Sequence, residues 1–168
     1  MRWKKAAAFS EDQMPDIPTL TGGCLCGAIR YETSGKRRNS IVCHCRMCQR
    51  ASGSPFSALF YMAQENIRLT KGKPAIYKSS AEAERHFCSN CGSPLFFQRL
   101  TRPDQRAIFV GSLDQPPDFK PDYVVCLSSS VNWLGTIGEA PQFEEKPDGM
   151  SPTLLYDPVT GHASERQG

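Results

Sequence analysis

The chain has 168 residues, 39% of them hydrophobic, and carries 20 basic and 17 acidic side chains for a net charge of +3. This is long and apolar enough for one domain with a real core, which excludes wholesale disorder, and no run approaches the roughly 18 consecutive apolar residues of a membrane-spanning helix. The charge is too balanced to make nucleic acid or an anionic membrane the default partner, while 13 glycines and 13 prolines predict frequent turns and few long helices.

In chain order, residues 1–18 are polar, are punctuated by Pro15 and Pro18, and read as an N-terminal arm. Their one apolar run, Ala6 to Phe9, falls short of the roughly 7–15 residues of a secretory core, so the expected compartment is the reducing cytoplasm. Thr21-Gly22-Gly23 signals a turn, and Cys26 to Glu32 alternates as a strand does. Ser34 to Ser40 reads as a loop. Arg46 to Ser52 is a short helical candidate stopped by Gly53, and Pro55 to Met62 suits a buried strand. Ile67 to Thr70 and Ala75 to Lys78 are short alternating pieces about a hairpin-like break at Lys71-Gly72-Lys73-Pro74. Ala81 to Arg85 is a second helical candidate. Leu95 to Gln98, Ala107 to Val110 and Tyr123 to Leu127 are further strands, and from Pro147 the chain reads as a surface tail. The prediction is a mainly β domain of short strands with little helix over residues 19–146, an arm at 1–18 and a tail at 147–168.

The informative residues are eight cysteines. Cys24 and Cys26 form C-x-C, Cys43, Cys45 and Cys48 form C-x-C-x-x-C, and Cys88 and Cys91 form C-x-x-C before Gly92; Cys126 stands alone. Buried free thiols, disulfides of a secreted protein and a redox C-x-x-C pair are the alternatives to metal. Clustered cysteines in a reducing compartment point to metal or catalysis, and a C-x-x-C turn aims two thiolates at one ion. Zinc takes four such ligands in a closed structural site and three in a site open to chemistry. Cys43, Cys45 and Cys48 are close enough in sequence to share one ion by themselves. That leaves Cys24, Cys26, Cys88 and Cys91 for the closed site. Cys126 is a possible fourth ligand for the other, which would make both structural. Of the histidines, His44 and His86 are expected to face solvent or to support the ligands, and His162 to be an inert residue of the tail.

Three segments together resemble the glutathione-dependent formaldehyde-activating (GFA) family, also called the CENP-V/GFA domain. They are Gly22-Gly23-Cys24-Leu25-Cys26-Gly27-Ala28-Ile29-Arg30-Tyr31, Cys43-His44-Cys45-Arg46-Met47-Cys48-Gln49-Arg50-Ala51-Ser52-Gly53, and Phe87-Cys88-Ser89-Asn90-Cys91-Gly92-Ser93-Pro94-Leu95. Trp133 and Ala140-Pro141-Gln142-Phe143 are a weaker echo. The resemblance implies a β-tent of antiparallel strands stapled by zinc, a structural zinc on Cys24, Cys26, Cys88 and Cys91, and a second, labile zinc on Cys43, Cys45 and Cys48. It also implies carbon–sulfur lyase chemistry on a glutathione adduct such as S-(hydroxymethyl)glutathione. Many members of the family carry a histidine nine positions before the tryptophan, where this chain has Val124.

The mechanism this suggests uses the open metal at Cys43, Cys45 and Cys48 to hold a substrate thiol beside an aldehyde or another small electrophile. Arg46 and Arg50, four apart on the short helix, share a face and suit the carboxylates of glutathione as co-substrate. The partner is then a small-molecule thiol or aldehyde adduct, with no nucleic acid and no membrane. Two other readings stay open. One is a non-catalytic zinc module in which Lys36-Arg37-Arg38 touches an acidic partner. The other is a thiol redox enzyme using Cys126, for which Val124-Val125-Cys126-Leu127-Ser128 lacks the Arg-x-Cys-x-Asn setting of the related methionine-sulfoxide reductases.

Overall fold

A computed structural model of the chain describes residues 15–115, 119–144, 146, 154–157 and 160–165. Strand β1 (Asp16–Gly23) begins inside the segment read as an arm and runs antiparallel to β2 (Arg30–Cys43); residues 1–14 of that arm lie outside the described residues. Between the two strands, Cys24 to Ile29 is a turn rather than the expected strand. It is closed by backbone bonds from Gly27 to Cys24 at 3.0 Å and from Cys24 to Ile29 at 3.1 Å.

Strand β2 joins two sheets. Its first residues pair with β1 on one side and with β4 (Ile67–Lys71) on the other. Its last residues pair antiparallel with β3 (Ser57–Ala63) and parallel with β9 (Tyr123–Val125). Gly35 sits at the junction with φ of 89°, a conformation a Cβ would strain. Ser34 to Ser40 is therefore strand and not loop. Its basic residues are paired across the fold: Arg37 donates to Asp122 at 2.8 Å, and Arg38 to Asp104 and, at 3.1 Å, to Gln105. The basic run weighed as a contact for an acidic partner is in this way spent largely inside the domain.

The sheet continues through β8 (Gln105–Phe109), β7 (Pro94–Arg99), β6 (Ala83–Phe87) and β5 (Ala75–Ser80), in the order β1-β2-β3-β8-β7-β6-β5. Two expectations fail here. Lys71 to Pro74 closes no hairpin, because β4 pairs with β2 and β5 with β6. Ala81 to Arg85 is not helical: Ala83 opens a strand hydrogen-bonded on both sides, and pairing of that kind overrides a helix-prone composition. The helix α1 (Arg46–Ser52) forms as expected and ends on Gly53 in the left-handed conformation. After β9 come 3-10 turns at Leu127–Ser129 and Asn132–Glu139, the latter with Trp133 and Ile137 exposed. The expected tail contains a hairpin, β10 (Leu154–Asp157) with β11 (His162–Glu165); its remaining residues, apart from Thr160 and Gly161, lie outside the described ones.

The fold is thus mainly β and antiparallel, as the sequence led us to expect. Tyr31, Phe60, Met62, Leu95, Phe96 and Ile108 form the main core, and Cys24 and Cys88 are buried within it. A smaller cluster of Leu59, Ala107 and Phe109 lies on the other face, with Ile41, Tyr61 and Phe97 against it. No helix among the described residues is long and apolar enough to cross a membrane.

Candidate metal centres

None of the eight cysteines is in a disulfide, and seven of them gather into two groups. Cys24 and Cys26 come from the turn before β2, and Cys88 and Cys91 from the turn between β6 and β7. All four sulfurs lie within 4.8 Å of one another, with Cys24 to Cys26 at 3.6 Å and Cys26 to Cys88 at 3.8 Å. A tetrahedral zinc with bonds of about 2.3 Å separates its sulfurs by about 3.8 Å, so the set fits that ion. N–H groups face the sulfurs, from Ile29 to Cys24 and from Asn90 to Cys26, each at 3.2 Å. Burial opposes ionisation of Cys91, but hydrogen bonds from the Ser93 hydroxyl and backbone outweigh it and bring the thiol down to about 6. Burial pushes Cys88 up to about 12. A cation is what would let so deep a sulfur ionise.

Cys43, Cys45 and Cys48 also lie within 4.8 Å of one another. Cys43 ends β2, Cys45 caps α1 by accepting from the Cys48 N–H at 3.4 Å, and Cys48 lies in the first turn. One helix start therefore places all three, as their spacing requires. Burial raises Cys43 and Cys48, whereas at Cys45 hydrogen bonds from the first turn outweigh burial and lower the thiol. A cavity of about 500 Å³ opens on this group, its wall including Tyr61, Arg85, Arg99 and Cys126. Burial raises the Tyr61 hydroxyl, which keeps it a hydrogen-bond donor at neutral pH.

The remaining site residues fall as follows. Arg46 is exposed and donates to Gln49 on its own helix. Arg50, also exposed, lines a second cavity of about 610 Å³ between α1 and β5 to β7. Cys126 rims the 500 Å³ cavity, with φ of 59°, outside the group of three. Val124 is 44% exposed, and its neighbour Val125 lines that cavity. His44 is buried, not solvent-facing; its backbone N–H donates to Val125 at 3.0 Å and its ring lies 5.7 Å from Phe56. His86 is buried against Phe96, and burial lowers it to about 4, so its 3.8 Å approach to Glu84 is no ion pair at neutral pH. His162 opens β11.

Arg85 was missed in the sequence. It is 9% exposed, its Nη2 lies 3.9 Å from the Cys48 sulfur, and its guanidinium stacks 5.2 Å from the centre of the Phe97 ring. The signal was present as a period of two, Ala83, Arg85 and Phe87, leading into Cys88.

Comparison with known proteins agrees with this arrangement. Residues 19–129 match the family profile described as glutathione-dependent formaldehyde-activating enzyme. An uncharacterized lyase of Schizosaccharomyces pombe is 37% identical over 81 residues, 48% of this chain and 58% of that protein; the chain thus spans little more than half the length of that relative. A putative glutathione-dependent formaldehyde-activating enzyme of Halomonas elongata is 25% identical over 68% of this chain and 79% of its own length. The crystal structure of a Rhodobacter sphaeroides protein, 22% identical, shares the fold with a TM-score of 0.52 over 63% of this chain and 100% of that one. With both cysteine groups inside the matched span, this chain belongs to the glutathione-dependent formaldehyde-activating enzyme family.

Proposed function

We propose that the protein is a zinc-dependent carbon–sulfur lyase acting on an adduct of glutathione or a related thiol, such as S-(hydroxymethyl)glutathione. The observation that carries this reading is the contrast between the two cysteine groups. Each group holds two buried cysteines, but Cys43, Cys45 and Cys48 offer only three sulfurs and line an open cavity of about 500 Å³. Four ligands suit a structural ion and three suit an ion that must also take substrate. Bound at the three cysteines, zinc supplies Lewis acidity and affinity for thiolate sulfur.

The chain's own residues do the rest. In the lytic direction the carbon–sulfur electron pair goes to sulfur, the hydroxyl proton passes to solvent water in the open cavity and the carbonyl forms, with no oxidant or reductant. In the reverse, condensing direction Tyr61, held protonated in the cavity wall, donates to the aldehyde oxygen as the thiolate sulfur attacks its carbon. Phe97 and Leu59 keep that wall apolar. Val124, where many relatives carry histidine, leaves formaldehyde as one of several small electrophiles that suit the site. Cysteines kept out of disulfides suit a reducing compartment, and we place the protein in the cytoplasm. Calorimetric titration of zinc-loaded protein with glutathione and with S-methylglutathione tests the reading. We expect glutathione to bind and the S-methyl compound to bind at least tenfold more weakly; equal binding, or none, refutes it.

A further inference from the structure

We propose that Arg85 is the specificity residue of this site and reads a carboxylate carried by the same small molecule as the thiol. The inference rests on the lyase reading above. The guanidinium of an arginine that is 91% removed from solvent needs compensation for its lost hydration. The Phe97 ring and the Cys48 sulfur give part of it, and the sulfur contact engages Nη2. Nη1 is buried with no hydrogen-bond partner. Unpaired buried donors are uncommon and call for an explanation.

The placement of Arg85 supplies one. Arg85 lines both the 500 Å³ cavity at the three cysteines and the 610 Å³ cavity beside α1, and Met47 is shared as well. A molecule that brings sulfur to the cysteines therefore lies against this residue. Arg50, Arg85 and Arg99 line the two cavities, and among the described residues Glu82 is the only carboxylate that does. An anionic ligand suits that balance, and the planar fork of arginine matches a carboxylate with two parallel bonds. Arg50 and Arg99 are exposed, so their charges are screened. Arg85 alone is positioned to discriminate.

The test compares glutathione with its diethyl ester, which keeps the thiol and the ammonium but loses both carboxylate charges. Binding is read by calorimetry on the zinc-loaded full chain, with zinc content measured in parallel. The wild type should bind glutathione at least tenfold more tightly than the ester. Arg85→Gln should reduce that preference below twofold; Arg85→Lys, which keeps the charge without the fork, should fall between. Equal affinity for both compounds in the wild type overturns the inference and leaves the lyase reading standing. So does an equal loss for both compounds in the variants, which would make Arg85 only a counter-ion of Cys48. Competition by millimolar inorganic phosphate as effective as that by glutathione would assign the subsite to a free anion and also overturn it. If neither thiol binds the wild type, the lyase reading itself falls. Should Arg85→Gln not fold, the wild-type comparison and Arg85→Lys still decide.

Discussion

Asp122→Ala should loosen the cysteine cavity from a distance. The Asp122 carboxylate accepts from Arg37 Nη1 at 2.8 Å, from the Ser40 N–H at 2.7 Å and from the Ser40 hydroxyl at 2.9 Å. These bonds fasten the start of β9 along β2, and Val125 at its far end accepts from His44. A hydrogen bond to a charged group contributes about 1.5–3 kcal/mol when desolvated. Here the Arg37 and Asp122 side chains are 22% and 19% exposed, and the Ser40 hydroxyl keeps an alternative acceptor in the Lys120 carbonyl at 2.9 Å. We therefore count two bonds, from Arg37 and the Ser40 N–H, at the low end of about 1.5 kcal/mol each, and expect a loss of about 3 kcal/mol. At about 2–4 °C per kcal/mol for a domain of this size, melting should fall by about 6–12 °C. Burial alone would raise the Asp122 carboxyl, but Arg37 and Ser40 outweigh it and hold the group below its usual range. Its stabilisation is fully present above the unfolded value of about 3.9 and is lost only as pH falls through the lower folded value. The difference between wild type and variant should therefore stay constant from pH 8 to pH 5. Scanning calorimetry across that range is the assay. A drop below 2 °C, or a difference that vanishes by pH 5, would refute the reasoning.

Three further outcomes follow from the two cysteine groups, read as zinc sites, and from the turn that carries Cys26. Cys91→Ser should give poorly folded protein depleted in zinc, since its group knits the two deep sulfurs of the core; a soluble variant with unchanged zinc and melting would sink that assignment. Cys45→Ser should lose at most one zinc, keep its fold by circular dichroism and lose glutathione binding; unfolding as severe as that of Cys91→Ser would make the group of three structural. Gly161→Ala should free the C-terminal hairpin, because a Cβ there would sit 2.3 Å from the Cys26 carbonyl carbon; limited proteolysis should then cleave after Asp157 sooner than in the wild type, and an unchanged pattern would contradict that contact.

The parts of this protein that are local in sequence were legible in it. Cys43, Cys45 and Cys48 meet because one strand end and one helix start hold them, and Gly53 marks the helix end by its own conformation. The parts made by pairing were not. Ser34 to Ser40 looks like a loop until Arg37 and Arg38 find acids 85 and 66 residues away. Arg85 sat in a run rich in Ala and Glu that suits a helix, and only the insertion of β6 between β5 and β7 carries it over Cys48, 37 residues distant. The spacing of Arg46 and Arg50 gives a shared helical face but not the side on which a cavity opens: Arg50 lines one, and Arg46 donates to Gln49 on its own helix.

The two-sheet strand β2 also has a consequence for the rate of folding. Its partners β1 and β3 lie close in sequence, but β4 comes later and β9 some 80 residues later, so the far edge of this strand must wait for most of the chain. Domains dominated by such distant pairings fold slowly. Cys26 and Cys88, 62 residues apart, sit at the two ends of this problem. Joining them closes a loop whose entropic cost, by the logic of a cross-link, is about 4 kcal/mol. An ion that captures both turns in the nascent chain would hold β1 and β2 close to β6 and β7 while the intervening strands search for their register. Zinc supplied at the start of refolding should therefore shorten the lag, whereas zinc added late should find chains already committed to aggregation.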